Sequence, residues 1–384
     1  MMVRRLAGLF TAVLLLAAPG PAQRPLESGA FGDPAFFPIA VWLQSPRHAA
    51  RYRAAGINTY VGLWEGPTEA QLAELKAAGM KVVCDQNAVG LAKKNDATII
   101  AWMHGDEPDN AQALPSGAGW GPPIPPATIV KDYERIRSAD PKRPVLLNLG
   151  QGVAWDGWYG RGVRSRKPED YPEYVQGADI VSFDIYPAVH EKAEVKGKLE
   201  IVPFGVERLR KWAGPTRRVW NCIETTRISN LERKPTPHEV RAEVWMSLIH
   251  GSRGIVYFAH QFKPTFIEAG LLAEAEVLAE VTSINRTITD LATVLNQPNA
   301  DDVVEVRSAE KDVPVAFMAK KKDGCLYLFA VSMRPKATTA EFRVQGLPAQ
   351  AKAEMIGAAT TIAVANGHFE DRFGPYDVRL YRIR

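Results

Sequence analysis

The sequence predicts an α/β protein, a (β/α)8 TIM barrel followed by a small C-terminal antiparallel β-sandwich. Three observations predict it. Eight short, continuously apolar runs recur between residues 36 and 260, helix start and stop signals stand between them, and from about residue 300 the pattern changes to alternation. Continuous apolarity is what strands covered on both faces require, as in a parallel sheet wrapped by helices. Eight such strands with helices between them match a closed barrel. An open doubly wound sheet fits less well, because no glycine-rich phosphate fingerprint follows the first run.

In order, the runs are FFPIAVWL (36–43), INTYVGLW (57–64), MKVVCDQ (80–86), TIIAWM (98–103), PVLLNLG (144–150), DIVSFDIYP (179–187), RRVWNCIE (217–224) and GIVYFAH (254–260). Between the second and third, GPTEAQLAELKAAGMK offers Thr68 as a helix cap, Leu72 and Leu75 as the buried stripe, and Gly79 as the stop. Before the eighth, Thr236–Pro237 is a cap followed by proline at the first helical position. Val240, Val244 and Leu248 then repeat along one face until Gly251. Similar patterns fill 126–139 and 203–213. The barrel is therefore expected over 30–295 and the sandwich over 300–384. There DDVVEVRS, TAEFRVQG and DVRLYRIR alternate, and KKDG marks a hairpin.

Residues 1–22 have another character. Two arginines precede an apolar core from Leu6 to Ala18 and a small-residue stretch, the layout of a secretory signal peptide. A secreted or periplasmic protein is expected, with no membrane association after cleavage. Cys84, Cys222 and Cys325 form no disulfide framework, and no HxH, HExxH or CxxC spacing suggests a metal. No cofactor is expected. The net charge of +4 contains no long basic run, so nucleic acid is not an indicated partner. The oligomeric state is not written in the sequence.

In a barrel of this type chemistry sits at the C-terminal ends of the strands. Strand three ends in Asp85, strand four in MHGDEPDN with Asp106 and Glu107, and strand five in Asn148. Strand six ends in Asp184 and Tyr186, strand seven in Glu224, and strand eight in His260. Glu107 and Glu224 close strands on opposite sides of the barrel and are expected to face a shared point above its axis. Two carboxyls flanking one bond are what acetal hydrolysis needs, one protonated for the leaving oxygen and one ionised. Trp42, Trp64 and Trp155 are candidate sugar-stacking residues, Trp155 on a long loop after strand five that also presents Trp158 and Tyr159 for stacking. Arg161, Arg164, Arg166 and Lys167 on that loop read as a solvated charge run.

The segments FFPIAVWLQ, AWMHGDEPD, DIVSFDIYP and HGSRGIVYFAH resemble the large clan of retaining glycoside hydrolases on (β/α)8 barrels, near its β-galactosidase- and agarase-like families. That resemblance implies an oligo- or polysaccharide substrate and hydrolysis by double displacement. Glu107 would be the acid/base, Glu224 the nucleophile, and Tyr186 the tyrosine that hydrogen-bonds the nucleophile. Asp106 stands where the clan has asparagine, and an aspartate accepts but cannot donate there. Strand eight carries Tyr257, Phe258 and His260 where the clan has tryptophan. The competing expectation is a catalytically silent carbohydrate-binding or cell-envelope protein on the same barrel.

Overall fold

The computed structural model describes residue 26 and residues 29–384. The expected signal peptide at 1–22 lies outside the described residues. Among them, no helix is long and apolar enough to cross a membrane.

Eight parallel strands form the barrel: β1 Ile39–Trp42, β2 Thr59–Val61, β3 Lys81–Asp85, β4 Ile99–Met103, β5 Val145–Leu149, β6 Ile180–Phe183, β7 in two pieces (Arg218–Val219 and Asn221–Glu224), and β8 Ile255–Phe258. Each pairs with the next, β8 pairs with β1, and the two pieces of β7 pair with β6 and β8. The ring therefore closes across Trp220, whose N–H still donates to Val181 O at 2.9 Å. Around it run α1 Ala49–Ala54, α2 Glu69–Ala77, α3 Ala88–Ala92, α4 Pro126–Ala139, α5 Tyr171–Tyr174, α6 Ile201–Ala213, α7 Pro237–Ile249, α8 Ala275–Asp290 and α9 Ala292–Leu295.

The helix signals act as the sequence suggests. Thr68 and Thr236 each complete a capping box, with Gln71 and Glu239 returning the bond to the cap N–H. Gly79 and Gly251, just past α2 and α7, have φ of 68° and 101°, which residues with a β-carbon resist.

Strand side chains alternate between two apolar layers. Ala40, Trp42, Val61, Val83, Ala101, Leu146, Cys222 and Val256 fill the barrel interior, with Phe31 and Trp220 packed among them. Ile39, Val41, Val82, Cys84, Leu147, Val181 and Ile223 pack outward against the helices. Both layers are buried, so the runs read as continuously apolar.

Eight further strands form the C-terminal domain: β9 Val304–Ser308, β10 Val315–Lys322, β11 Cys325–Ser332, β12 Thr338–Val344, β13 Gln350–Met355, β14 Thr361–Ala365, β15 His368–Phe373 and β16 Val378–Ile383. All pairings are antiparallel, in the order β9-β12-β15-β14-β13-β16-β11-β10. The sheet doubles over, so Phe342 of β12 and Phe369 of β15 meet Tyr381 of β16 at 5.8 and 5.4 Å between ring centres. In the KKDG hairpin Asp323 and Gly324 have φ of 50° and 74°, the two positive values a tight two-residue hairpin demands. Trp245 of α7 lies 5.4 Å from Phe329 of β11, tying the sheet to the barrel.

Candidate active site

Past the C-terminal ends of the strands lies a cleft of about 970 Å³. Asp106 and Glu107 come to it from the end of β4, Asn148 from β5, Asp184 and Tyr186 from β6, and Phe258 and His260 from β8. Trp42, Trp64, Trp158, Phe262 and Phe266 line it as well.

Glu107 turns into the cleft through a left-handed backbone, φ 42°. For a residue with a β-carbon this costs about 1–2 kcal/mol, and such strain gathers at functional sites. Its N–H donates to Asn148 O at 3.1 Å, joining the ends of β4 and β5. Its Oε2 accepts from the Asn110 side-chain amide at 2.8 Å, while Trp158 Nε1–H donates to Asn110 Oδ1, also at 2.8 Å. Gly150 leaves the room this needs. A methyl group there would sit 2.9 Å from the Asn110 amide and 3.0 Å from Glu107 Oε1.

The Glu107 carboxyl is hydrogen-bonded to the Asp184 carboxyl. Burial and the charge of Asp184 raise the Glu107 pKa well above the carboxylate range. Burial also raises Asp184, but the bonds it accepts from Glu107 and the Tyr186 hydroxyl oppose that rise. Glu107 is raised the further of the two, so a proton shared by the pair favours Glu107, and Asp184, pushed up to about 7, carries the charge above that pH. Asp184 Oδ1 has no hydrogen-bond partner. Asp106 accepts from Asn148 Nδ2 at 3.0 Å, and Asn148 Oδ1 accepts from the Ser182 hydroxyl at 2.7 Å. Burial, then the neighbouring Glu107, pushes Asp106 up to about 7.

Asp109 is structural. Fully buried, it accepts from Gly150 N–H at 2.9 Å and the Tyr171 hydroxyl at 2.8 Å. His104 is also buried, its Nε2 2.7 Å from Gly177 O. Burial lowers the His260 pKa, which favours a neutral imidazole against Phe262 and Phe266, 6.0 and 6.1 Å away.

Three residues expected at the site lie elsewhere. Glu224 does not line the cleft. Its carboxylate, fully buried, accepts from Ala188 N–H at 2.6 Å and Val189 N–H at 2.9 Å, and acts electrostatically on the buried Glu243 carboxyl of α7. Two loop amides with no other acceptor draw it away from the axis. Asp85 opens instead on a neighbouring cavity of about 270 Å³ beside His104, Asp132 and Arg135. Trp155 packs under the loop against His190 at 5.4 Å, and its neighbour Trp158 takes the cleft position. Of the basic loop segment, Arg161 and Arg164 both pair with Asp170, while Arg166 and Lys167 are exposed.

Sequence reasoning ranked Asp184 below the two glutamates, though its place at the end of strand six was visible. Trp158 shared the stacking expectation of its loop with Trp155 and Tyr159, whereas Phe262 and Phe266 carried no signal that separated them from packing aromatics.

The site of Glu224 gives a first prediction. Glu224→Gln keeps one acceptor for the two loop N–H groups and turns an NH2 on the other. A loss of about 1–3 kcal/mol in stability is expected, the range for an unsatisfied buried donor, with turnover kept within about tenfold. Denaturant unfolding and kcat measured together check this; a nucleophile would lose nearly all turnover and little stability.

No family model matches the chain, and no curated protein matches its sequence. Its fold is similar to that of a catalytic mutant of a GH42 beta-galactosidase from G. stearothermophilus (TM-score 0.57, 8% identity, 91% of this chain and 98% of that one). It is similar also to an alpha-amylase from Geobacillus thermoleovorans complexed with acarbose (0.54, 11%, 91% and 98%), and to AmyP in complex with maltose (0.52, 9%, 91% and 96%). At such identities the likeness is one of architecture, and the chain is a TIM barrel carrying a C-terminal β-domain.

Proposed function

We propose that this chain hydrolyses O-glycosidic bonds of a neutral sugar with retention of configuration. The observation that carries the reading is the proton-sharing pair Glu107–Asp184 on the floor of an aromatic-walled cleft at the strand ends. A close carboxyl pair fits the short spacing of a retaining site, about 5–5.5 Å, better than the roughly 6.5–9.5 Å at which an inverting pair holds its water.

In this reading Asp184, kept ionised by Tyr186, attacks the anomeric carbon while Glu107 gives its proton to the departing oxygen. The C–O bond breaks as the glycosyl ester to Asp184 forms. Water then attacks the same carbon, Glu107 takes its proton, and Asp184 leaves as carboxylate. Asn110, fixed by Trp158, aims Glu107. Glu224 holds the loop carrying Tyr186 and takes no part in bond making. Arg47 is the one cation lining the cleft, and it is paired with Glu268 at 2.6 Å, so an acidic sugar finds no counter-charge. Two of the folds it is similar to were solved with acarbose and with maltose, ligands of the same class.

The test is a panel of neutral aryl glycosides and oligosaccharides with the product followed by NMR. Turnover that first yields the anomer matching the substrate supports the reading. The opposite anomer overturns retention, and sugar binding without turnover by the full panel makes the chain a binding protein.

A further inference from the structure

At the other end of the barrel, a cavity of about 1110 Å³ lies between the starts of β7 and β8 and the C-terminal sheet. Six cations line it: Arg210 and Lys211 of α6, Arg217, Arg218, Arg253, and Lys320 of β10. Glu207 is the one carboxylate among the lining residues.

Elsewhere this protein pairs its sheltered arginines with acids. Arg161 meets Asp170 at 2.7 Å, Arg143 meets Asp140 at 2.9 Å, and Arg137 meets Asp179 at 3.2 Å. Around this cavity the rule fails. Among the described residues, no carboxylate lies within ion-pair distance of Arg210, Lys211, Arg217, Arg253 or Lys320, although Lys320 is only 1% exposed. Their partners are neutral. Arg210 donates to His250 O at 2.8 Å, Arg217 to Ala178 O at 3.0 Å, and Arg253 to Leu295 O at 2.7 Å. Lys320 donates to Gln297 O and Asn299 Oδ1, both at 2.6 Å. Glu207 leans away toward His250 at 3.7 Å.

A carbonyl satisfies a donor and cancels no charge, so the cations act on one another. Burial first, then Arg253 and more weakly Arg210, pulls the Lys320 ammonium down to about 8, against the opposing charge of Asp301. Burial and Arg210 likewise lower Arg253. A concave, partly desolvated wall of one sign focuses its field inward and concentrates counter-ions. The volume suits a ligand of nucleotide or disaccharide size.

We propose that this cavity binds a small ligand bearing at least two negative charges on phosphate or sulfate groups, held between the barrel floor and the β-domain. Guanidinium groups match the oxygens of such groups two at a time, and the ligand supplies a counter-charge to Arg210, Lys211, Arg253 and Lys320.

Isothermal titration of the full chain with inorganic pyrophosphate tests this, with a nucleoside diphosphate and a sulfated disaccharide as further arms. Expected is saturable binding that weakens with added salt and raises the melting temperature. Near pH 8 the complex should take up protons as Lys320 regains its charge. The arm that binds most tightly identifies the source of the anionic group. Arg210→Ser with Lys211→Ser, both on the exposed side of α6, should weaken binding at least tenfold. Lys320→Met should abolish the proton uptake. Glu107→Gln should leave binding unchanged. No binding in any arm, or unchanged affinity in the Arg210/Lys211 variant, overturns the proposal.

Discussion

Asp184→Asn is expected to lower kcat roughly 10⁴-fold, the scale on which removal of a catalytic group acts, with the fold intact. The side-chain amide is nearly isosteric and still accepts from Tyr186 and Glu107 at its oxygen, so the hydrogen bonds around it survive. It cannot attack carbon as a carboxylate does. Because the variant also removes a charge from a half-buried, desolvated site, its thermal stability should match or exceed that of the parent. In Asp184→Gly, where truncation does open space, added azide should restore turnover and yield a glycosyl azide of inverted configuration. Residual activity within tenfold of the parent would move the nucleophile elsewhere, and Asp106 is then the candidate, because the other cleft carboxylate, Glu268, is paired with Arg47.

Glu107→Gln should produce an effect that depends on the leaving group. An alkoxide must be protonated as it departs, so simple alkyl glycosides and oligosaccharides should lose about 10²–10⁴-fold in kcat/KM, the range for general-acid catalysis. A dinitrophenolate departs unaided, and substrates carrying it should lose far less in the first step. The pH profile adds a second signature. Activity requires the pair with one proton, on Glu107. Burial and Asp184 hold the Glu107 pKa well above the carboxylate range, so protonation is complete at acidic pH and lost as pH rises through that raised value. The parent should therefore show an alkaline decline belonging to the pair, and the variant should lack it. A decline unchanged in Glu107→Gln would assign it to another group.

Most of the architecture was legible because each buried strand repeats its own signal. Apolar residues lie on both faces of β1 to β8, and Thr68, Gly79, Thr236 and Gly251 mark helix ends by purely local chemistry. Those features depend on neighbours a few residues away. The site was legible down to which strand ends carry acids, and Asp106, Glu107, Asn148, Tyr186, Trp42, Trp64 and His260 do line one cleft. What the sequence hides is which way a strand-end side chain turns. The turn of Glu224 toward the wall is decided by the N–H groups of Ala188 and Val189, some 35 residues earlier. The choice between Trp155 and Trp158 is of the same kind. Asn110 gives the Trp158 indole an acceptor across 48 positions, and no local pattern announces that.

The left-handed backbone at position 107 has a further consequence for how this protein can change. Glycine and asparagine relax there with little penalty, and either would also remove a buried acid. A laboratory selection for heat tolerance alone would therefore drift toward them and discard the proton donor. Only a screen that demands turnover in every round would keep glutamate in a backbone shape that disfavours it.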